Sequence, residues 1–267
     1  MKKLSARRRH PLAALVVLLF ALAATGGLYA AFAPAEKAQA DSSSQSLAIN
    51  EGKKLYAVGC SSCHGIHGQG TSDGPSLVGV GAAAVDFQVG TGRMPAQQPG
   101  AQVPAKKVIY PQDQIDQLAA YVASFGPGPA VPTKEQYSYS EKDIAAGGEL
   151  FRTNCAQCHN FAGKGGALTN GKYAPGLDNV SPKHIYEAMQ TGPQNMPSFP
   201  DSVMPEQQKA EIVAFVRHTA EAPSPGGMDL GSLGPVTEGL FGWIFGLGGL
   251  IAVAIWVAAH TTKAKKS

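Results

Sequence analysis

The sequence predicts an all-α protein of two tandem small domains set between two apolar segments. Three observations carry this reading. A unit of about 80 residues is written twice in the same order, each copy too small to bury much core by itself. Each copy opens and closes with helical periodicity, and little strand patterning lies between. Runs of about 20 uncharged residues flank the pair, the length that crosses a bilayer.

The first flank begins with "MKKLSARRRHP" and continues as "LAALVVLLFALAATGGLYAAFA". This run is longer than the roughly 7–15 residues of a secretory-signal core. Ala38-Gln39-Ala40 nevertheless matches a small-residue cleavage pattern. The expectation is a cytoplasmic basic tail at 1–11 and a transmembrane anchor or signal segment at 12–33. Length favours a retained anchor, and cleavage after Ala40 is the alternative. The first cysteine is Cys60, far from this segment, which argues against a lipid-anchored exported protein.

The second flank, "GLFGWIFGLGGLIAVAIWVAA" at 239–259, reads as a transmembrane helix, and "HTTKAKKS" at 260–267 as a cytoplasmic tail. Lysine and arginine gather on the cytoplasmic side of a span. Both flanks therefore place their tails inside a bacterial cell membrane and residues from about 35 to 238 outside the cytoplasm. Gly242 and Gly246 form a small-xxx-small step of the kind that packs against another membrane helix.

The formal net charge of +3 misleads about the exported part. Lys2, Lys3, Arg7, Arg8, Arg9, Lys263, Lys265 and Lys266 belong to the flanks. Without those 8 of the 22 basic residues, 14 remain against 19 acidic ones, or −5. A basic nucleic-acid surface is excluded, and an acidic face suits a basic partner.

The repeat emerges when "GKKLYAVGCSSCHG" (52–65) is set against "GGELFRTNCAQCHN" (147–160). Gly52 pairs with Gly147, Leu55 with Leu150, and Tyr56 with Phe151. Pro75-Ser76-Leu77 answers Pro175-Gly176-Leu177, "TGRMP" (91–95) answers "TGPQNMP" (191–197), and "QLAAYVASF" (117–125) answers "EIVAFVRHT" (211–219). Landmarks recurring in one order indicate two homologous units. They occupy 48–126 and 141–221. Linkers follow from composition at 34–47, at the Pro/Gly-rich 127–140, and at 222–238. Helices are expected near 48–59 and 141–154 and again at 112–125 and 205–220, with mostly loop between.

All the cysteines lie in "CSSCH" (60–64) and "CAQCH" (155–159). A Cys-x-x-Cys followed directly by His is the attachment signature of c-type haem. Thiols three positions apart reach both vinyl groups of one porphyrin, and the adjacent imidazole reaches the iron. A thioredoxin-like pair needs no histidine. A zinc site would need ligands that the chain lacks. Disulfides here would close very small loops and contribute little. The cofactors are two covalently bound haem c groups, held by Cys60 and Cys63 and by Cys155 and Cys158.

His64 and His159 supply one axial iron ligand each, and the sixth position sets the chemistry. Met94 is the only methionine between the two motifs, and His67 cannot reach across the ring. The second unit offers Met189, Met196 and Met204. Met196 shares with Met94 a preceding Thr-Gly and a following Pro, and Met204 remains as the alternative. Pro75 and Pro175 are suited to accept from the second ring N–H of each histidine, and Leu77 and Leu177 to pack on the haem face.

On these residues both units resemble class I cytochrome c domains. The whole chain is similar to the dihaem cytochrome c subunit, cytochrome cc, of actinobacterial menaquinol–cytochrome c reductases. The closer match rests on "DFQVGTGRMPA", "NCAQCHNFAGKGGAL", "GKYAPGL" and "TGPQNMPSF", together with the single C-terminal span. The resemblance implies a subunit of respiratory complex III partnered by a cytochrome b subunit, a Rieske iron–sulfur subunit and cytochrome c oxidase subunits. It implies electron transfer from the Rieske protein to the oxidase, so that the oxidoreductase is the complex and this chain its carrier. Two alternatives stand beside it. One is a dihaem subunit of a haem–copper oxidase or membrane dehydrogenase. The other, a dihaem peroxidase, needs an open iron position that Met94 and Met196 argue against.

Overall fold

A computed structural model of the chain describes residues 11–32, 37–100, 102–221 and 239–264. The basic tail, the Pro/Gly-rich 222–238 and part of 34–47 lie outside the described residues. The chain divides into a unit Met1–Ala48 and a unit Ile49–Ser267.

In the first unit, α1 runs Pro11–Phe32, with proline at its start, where a missing N–H costs nothing. Leu15, Phe20 and Leu22 are exposed on it. Helix α2 spans Lys37–Gly59, so it starts well before the position near 48 expected from the sequence. From Lys37 onward the stretch read as a linker contains no proline or glycine, and nothing there stops a helix.

In the second unit the repeat becomes two small helical domains. Each haem motif forms one short turn, α3 at Ser61–His64 and α7 at Ala156–His159. The closing helix of the first domain is α5, Gln112–Ala123. The second domain opens with a 3-10 turn at Glu141–Asp143 and α6 at Ile144–Asn154, and it closes with α9, Glu206–Glu221. Opening and closing helices cross at a glycine in both. A Cβ on Gly52 would lie 2.0 Å from the Gln117 carbonyl oxygen, and one on Gly147 1.8 Å from that of Glu211. The paired glycines are therefore contact points between helices. Tyr56, Leu118 and Val122 fill the first core, and Phe151, Ile212 and Val213 the second.

The expectation of loop between these helices needs correction. Helix α4, Gly81–Gly90, and helix α8, Pro182–Thr191, stand at equivalent places. The start of α8 has a readable cause, because Ser181 Oγ accepts the His184 N–H at 3.2 Å and Pro182 sits at the first helical position. The start of α4 has no such cap, and "GAAAVDFQVG" is bounded by glycine at both ends. The second domain also has a two-residue antiparallel pair, β1 (Gly166–Ala167) with β2 (Tyr173–Ala174), a small departure from all-α.

Helices α4 and α8 pack on each other and join the two domains. Asp86 and Glu187 are 1% and 0% exposed there. Lys183 pairs with Asp86, and Gln112 Nε2 donates to Asp86 Oδ1 at 2.9 Å. Two buried carboxyls beside one ammonium leave one negative charge too many for a dry interface. A proton resolves it. Burial, and then Asp86, push the Glu187 carboxyl up to about 10. Burial also pushes Asp86 up, but hydrogen bonds with Glu187, Lys183 and Gln112 outweigh this and hold it below its ordinary value. His184 completes a group of potential metal ligands with these two acids, but the Lys183 ammonium already occupies the cationic place beside Asp86.

Among the described residues, the helix Gly239–His260 is long and apolar enough to cross a membrane, with mean hydropathy 2.2. It contains a π turn at Gly242–Leu247.

Candidate haem-binding sites

Both Cys-x-x-Cys-His runs form the same short helical turn. Cys60 and Cys155 start their turns, and the His64 and His159 N–H groups donate back to the Cys60 and Cys155 carbonyls at 3.0 and 2.9 Å. None of the four cysteines is in a disulfide. Burial, and then the neighbouring cysteine, push the Cys60 and Cys155 thiols up to about 11.

His64 Nδ1–H donates to the Pro75 carbonyl at 2.8 Å, and His159 Nδ1–H donates to that of Pro175 at 3.0 Å. Each bond fixes the tautomer and leaves the Nε2 lone pair for a metal. Burial holds His159 below its ordinary value, so its imidazole is neutral at neutral pH. Glycines that sequence reading passed over hold these loops. Gly70 and Gly165 stand six residues after each histidine, at φ +80s values of +85 and +83. Their N–H groups donate to the His64 and His159 carbonyls at 2.8 and 2.9 Å. A Cβ on Gly165 would lie 2.5 Å from the Ala174 oxygen and 2.9 Å from the Pro175 carbonyl carbon. Then Leu77 N–H donates to Gly68 and Leu177 N–H to Gly163, both at 2.7 Å. The signal was present in the sequence as a glycine at a constant offset.

A cavity of about 660 Å³ opens at the second motif, lined by Cys155, Cys158, His159 and Met196 and by apolar side chains such as Leu177, Ile185 and Val216. An imidazole, a thioether and two thiols around one apolar cavity fit a haem c. Met189 lines it too. Its counterpart one repeat earlier is Val89, however, and both are buried core residues at 2% and 7% exposure. Met204 is absent from the lining and sits in the second core at 4%. The Met196 loop is shaped by Gly192, a left-handed cap on α8 at φ +61, where a Cβ would lie 2.6 Å from the Ser198 nitrogen. Beyond it, fully buried Lys209 donates to the Phe199 carbonyl at 3.4 Å and pairs with Asp201 at 2.5 Å. Lys209 was hidden because a lysine in an amphipathic helix reads as solvated.

In the first domain Cys60, Leu77 and Met94 pack against one core cluster with Tyr110. The Met94 N–H donates to the Gln88 carbonyl at 2.9 Å, so the end of α4 sets the loop. Two further pairings tie this region to the second domain. Gln102 exchanges two bonds with the Tyr173 backbone at 2.6 and 2.9 Å, and Gln194 exchanges two with the Val103 backbone at 2.9 and 3.1 Å.

A repeated motif, repeated histidine support and a cavity with this donor set define a cytochrome of two c-type domains. Residues 49–126 match the family model described as cytochrome c, and residues 142–216 match that described as cytochrome c oxidase, cbb3-type, subunit III. The chain is 46% identical over 97% of its length to the cytochrome bc1 complex cytochrome c subunit of Corynebacterium efficiens, covering 94% of that protein. The subunit of the same name from Mycobacterium tuberculosis is 46% identical over 96% of this chain and 93% of its own. That from Corynebacterium diphtheriae is 44% identical over 97% and 99%. The chain belongs to the family of cytochrome c subunits of the cytochrome bc1 complex, and its role is electron transfer by haem c.

Proposed function

We propose that the chain carries two covalently bound haem c groups and passes electrons from a Rieske iron–sulfur subunit to a cytochrome c oxidase. Cys60 and Cys63 hold one haem, with His64 and Met94 as iron ligands. Cys155 and Cys158 hold the other, with His159 and Met196. The observation that carries this reading is the cavity lined together by both second-domain thiols, His159 and Met196, with the histidine–carbonyl bond repeated in the first domain.

The bound haem supplies a one-electron couple whose potential His/Met ligation raises. The chain's residues do the rest. Pro75 and Pro175 fix the imidazoles, Met94 and Met196 would hold the remaining iron position, and apolar side chains such as Leu177, Ile185 and Val216 would exclude water. Closed iron positions suit outer-sphere transfer rather than peroxide chemistry. The C-terminal helix, and the N-terminal segment where it is retained, hold the domains at the extracytoplasmic face of the cell membrane with the tails cytoplasmic. Tethering replaces diffusion with a high local concentration at a cytochrome b subunit and its Rieske partner.

The test is affinity purification of the full chain in mild detergent, with haem quantified per polypeptide. Two alkali-stable c haems, together with co-purified b haem and Rieske protein, are expected. One haem per chain, or partners consisting of oxidase subunits alone, would overturn the reading.

A further inference from the structure

The second-domain cavity is not built by the second domain alone. Phe87, Arg93 and Gln102 of the first domain also line it. No aspartate or glutamate is among the lining residues, and the lysine and arginine there are Lys172 and Arg93. Lys172 Nζ donates to Asn195 Oδ1 at 3.0 Å. Arg93 lies with its guanidinium carbon 4.9 Å from the Phe87 ring centre and forms no ion pair among the described residues. A half-buried guanidinium without a carboxylate is costly unless a ligand supplies the anion. The reading above supplies one, because haem c carries two propionates. Guanidinium groups bind carboxylates in a bidentate fork and stay charged when desolvated.

We propose that Arg93, a first-domain residue, binds a propionate of the haem held by the second domain. The assignment rests on the proposed second haem. It makes that site a joint product of both domains, and it puts the residue next to Met94 in contact with the other haem's group. Arg93 is a positioning residue in this role. Its charge offsets the propionate, which otherwise stabilises the ferric iron, so the arginine raises the second haem's potential. The α4–α8 packing and the Gln102 and Gln194 pairings hold Arg93 at the cavity.

The experiment is a redox titration of the c-type bands in the haem-loaded full chain, with Arg93→Gln and Arg93→Lys variants and haem content measured in each. The second haem is identified by its response to Met196→Ala. A downward shift of the second haem in Arg93→Gln, with the first unmoved and Arg93→Lys restoring most of it, is expected. Loss of the second haem in Arg93→Gln but not in Arg93→Lys would support the same charge requirement. Unchanged potentials in Arg93→Gln, a shift confined to the first haem, or equal loss in both variants would overturn the assignment. Failure of the underlying reading is distinct, since it would appear as native protein lacking a second c haem.

Discussion

His159 Nδ1 lies 3.0 Å from the Pro175 carbonyl oxygen, and Gly165 lies directly behind that carbonyl. The bond aims the imidazole, and the glycine leaves room for the strand end that carries the acceptor. Gly165→Ala adds a Cβ at φ +83, where an L side chain is strained, and pushes on Pro175. A loss of about 1–3 kcal/mol is expected, with reduced haem occupancy in the second domain. Thermal melts and haem content measure both. Gly70→Ala should do the same to the first domain, where the Cβ would lie 2.7 Å from the Ser76 nitrogen.

Glu187 gives a pH dependence whose sign follows from its protonation. The folded chain keeps a proton on this carboxyl up to about 10, whereas the unfolded chain releases it around 4.5. The associated stability is complete below about 4.5 and declines as pH rises toward 10. Glu187→Gln fixes the neutral form and flattens the decline. At pH 8 the variant should be the more stable of the two, by up to about 1.4 kcal/mol for each pH unit above 4.5. Denaturant midpoints across about pH 5–9 give the comparison.

Gln102 joins the domains through two side chain–backbone bonds to Tyr173. Each such bond is worth about 0.5–1.5 kcal/mol net. Gln102→Ala should therefore speed amide exchange at Tyr173 and in the segment around Val103 while leaving α9 protected. Hydrogen-exchange mass spectrometry of the haem-loaded chain reads this directly.

What the sequence revealed and what it hid divide along physical lines. The turns that carry Cys60, His64, Cys155 and His159 were legible because one Cys-x-x-Cys-His run recurs in the sequence. The matching positions of Met94, against the first core, and Met196, on the cavity wall, were legible because two copies of a loop can be compared. Helix α4 was hidden by its flanking glycines, and by apolar residues on all sides that leave no amphipathic period. The domain interface was hidden for a different reason. Asp86, Glu187 and Lys183 look like solvated charges in a linear reading, and their burial depends on α4 and α8 meeting. Arg93 belongs with them, since only the folded chain brings it to the other domain's cavity.

Met204 separates packing from ligation. It is buried in the second core and does not line the cavity. Met204→Ala should cost about 2–5 kcal/mol of stability and leave the spectra and potentials of both haems unchanged. Spectroelectrochemistry and a thermal melt on one preparation check both halves of that statement.

The central claim is that Met196 closes the iron of the second haem. Its most direct test is carbon monoxide binding to the reduced full chain, native and Met196→Ala. The account predicts no binding by the native chain, binding to one haem in Met196→Ala, and a lowered potential for that haem alone. Tight binding by the native chain, or Met196→Ala protein in which both haems respond alike or neither responds, would contradict it.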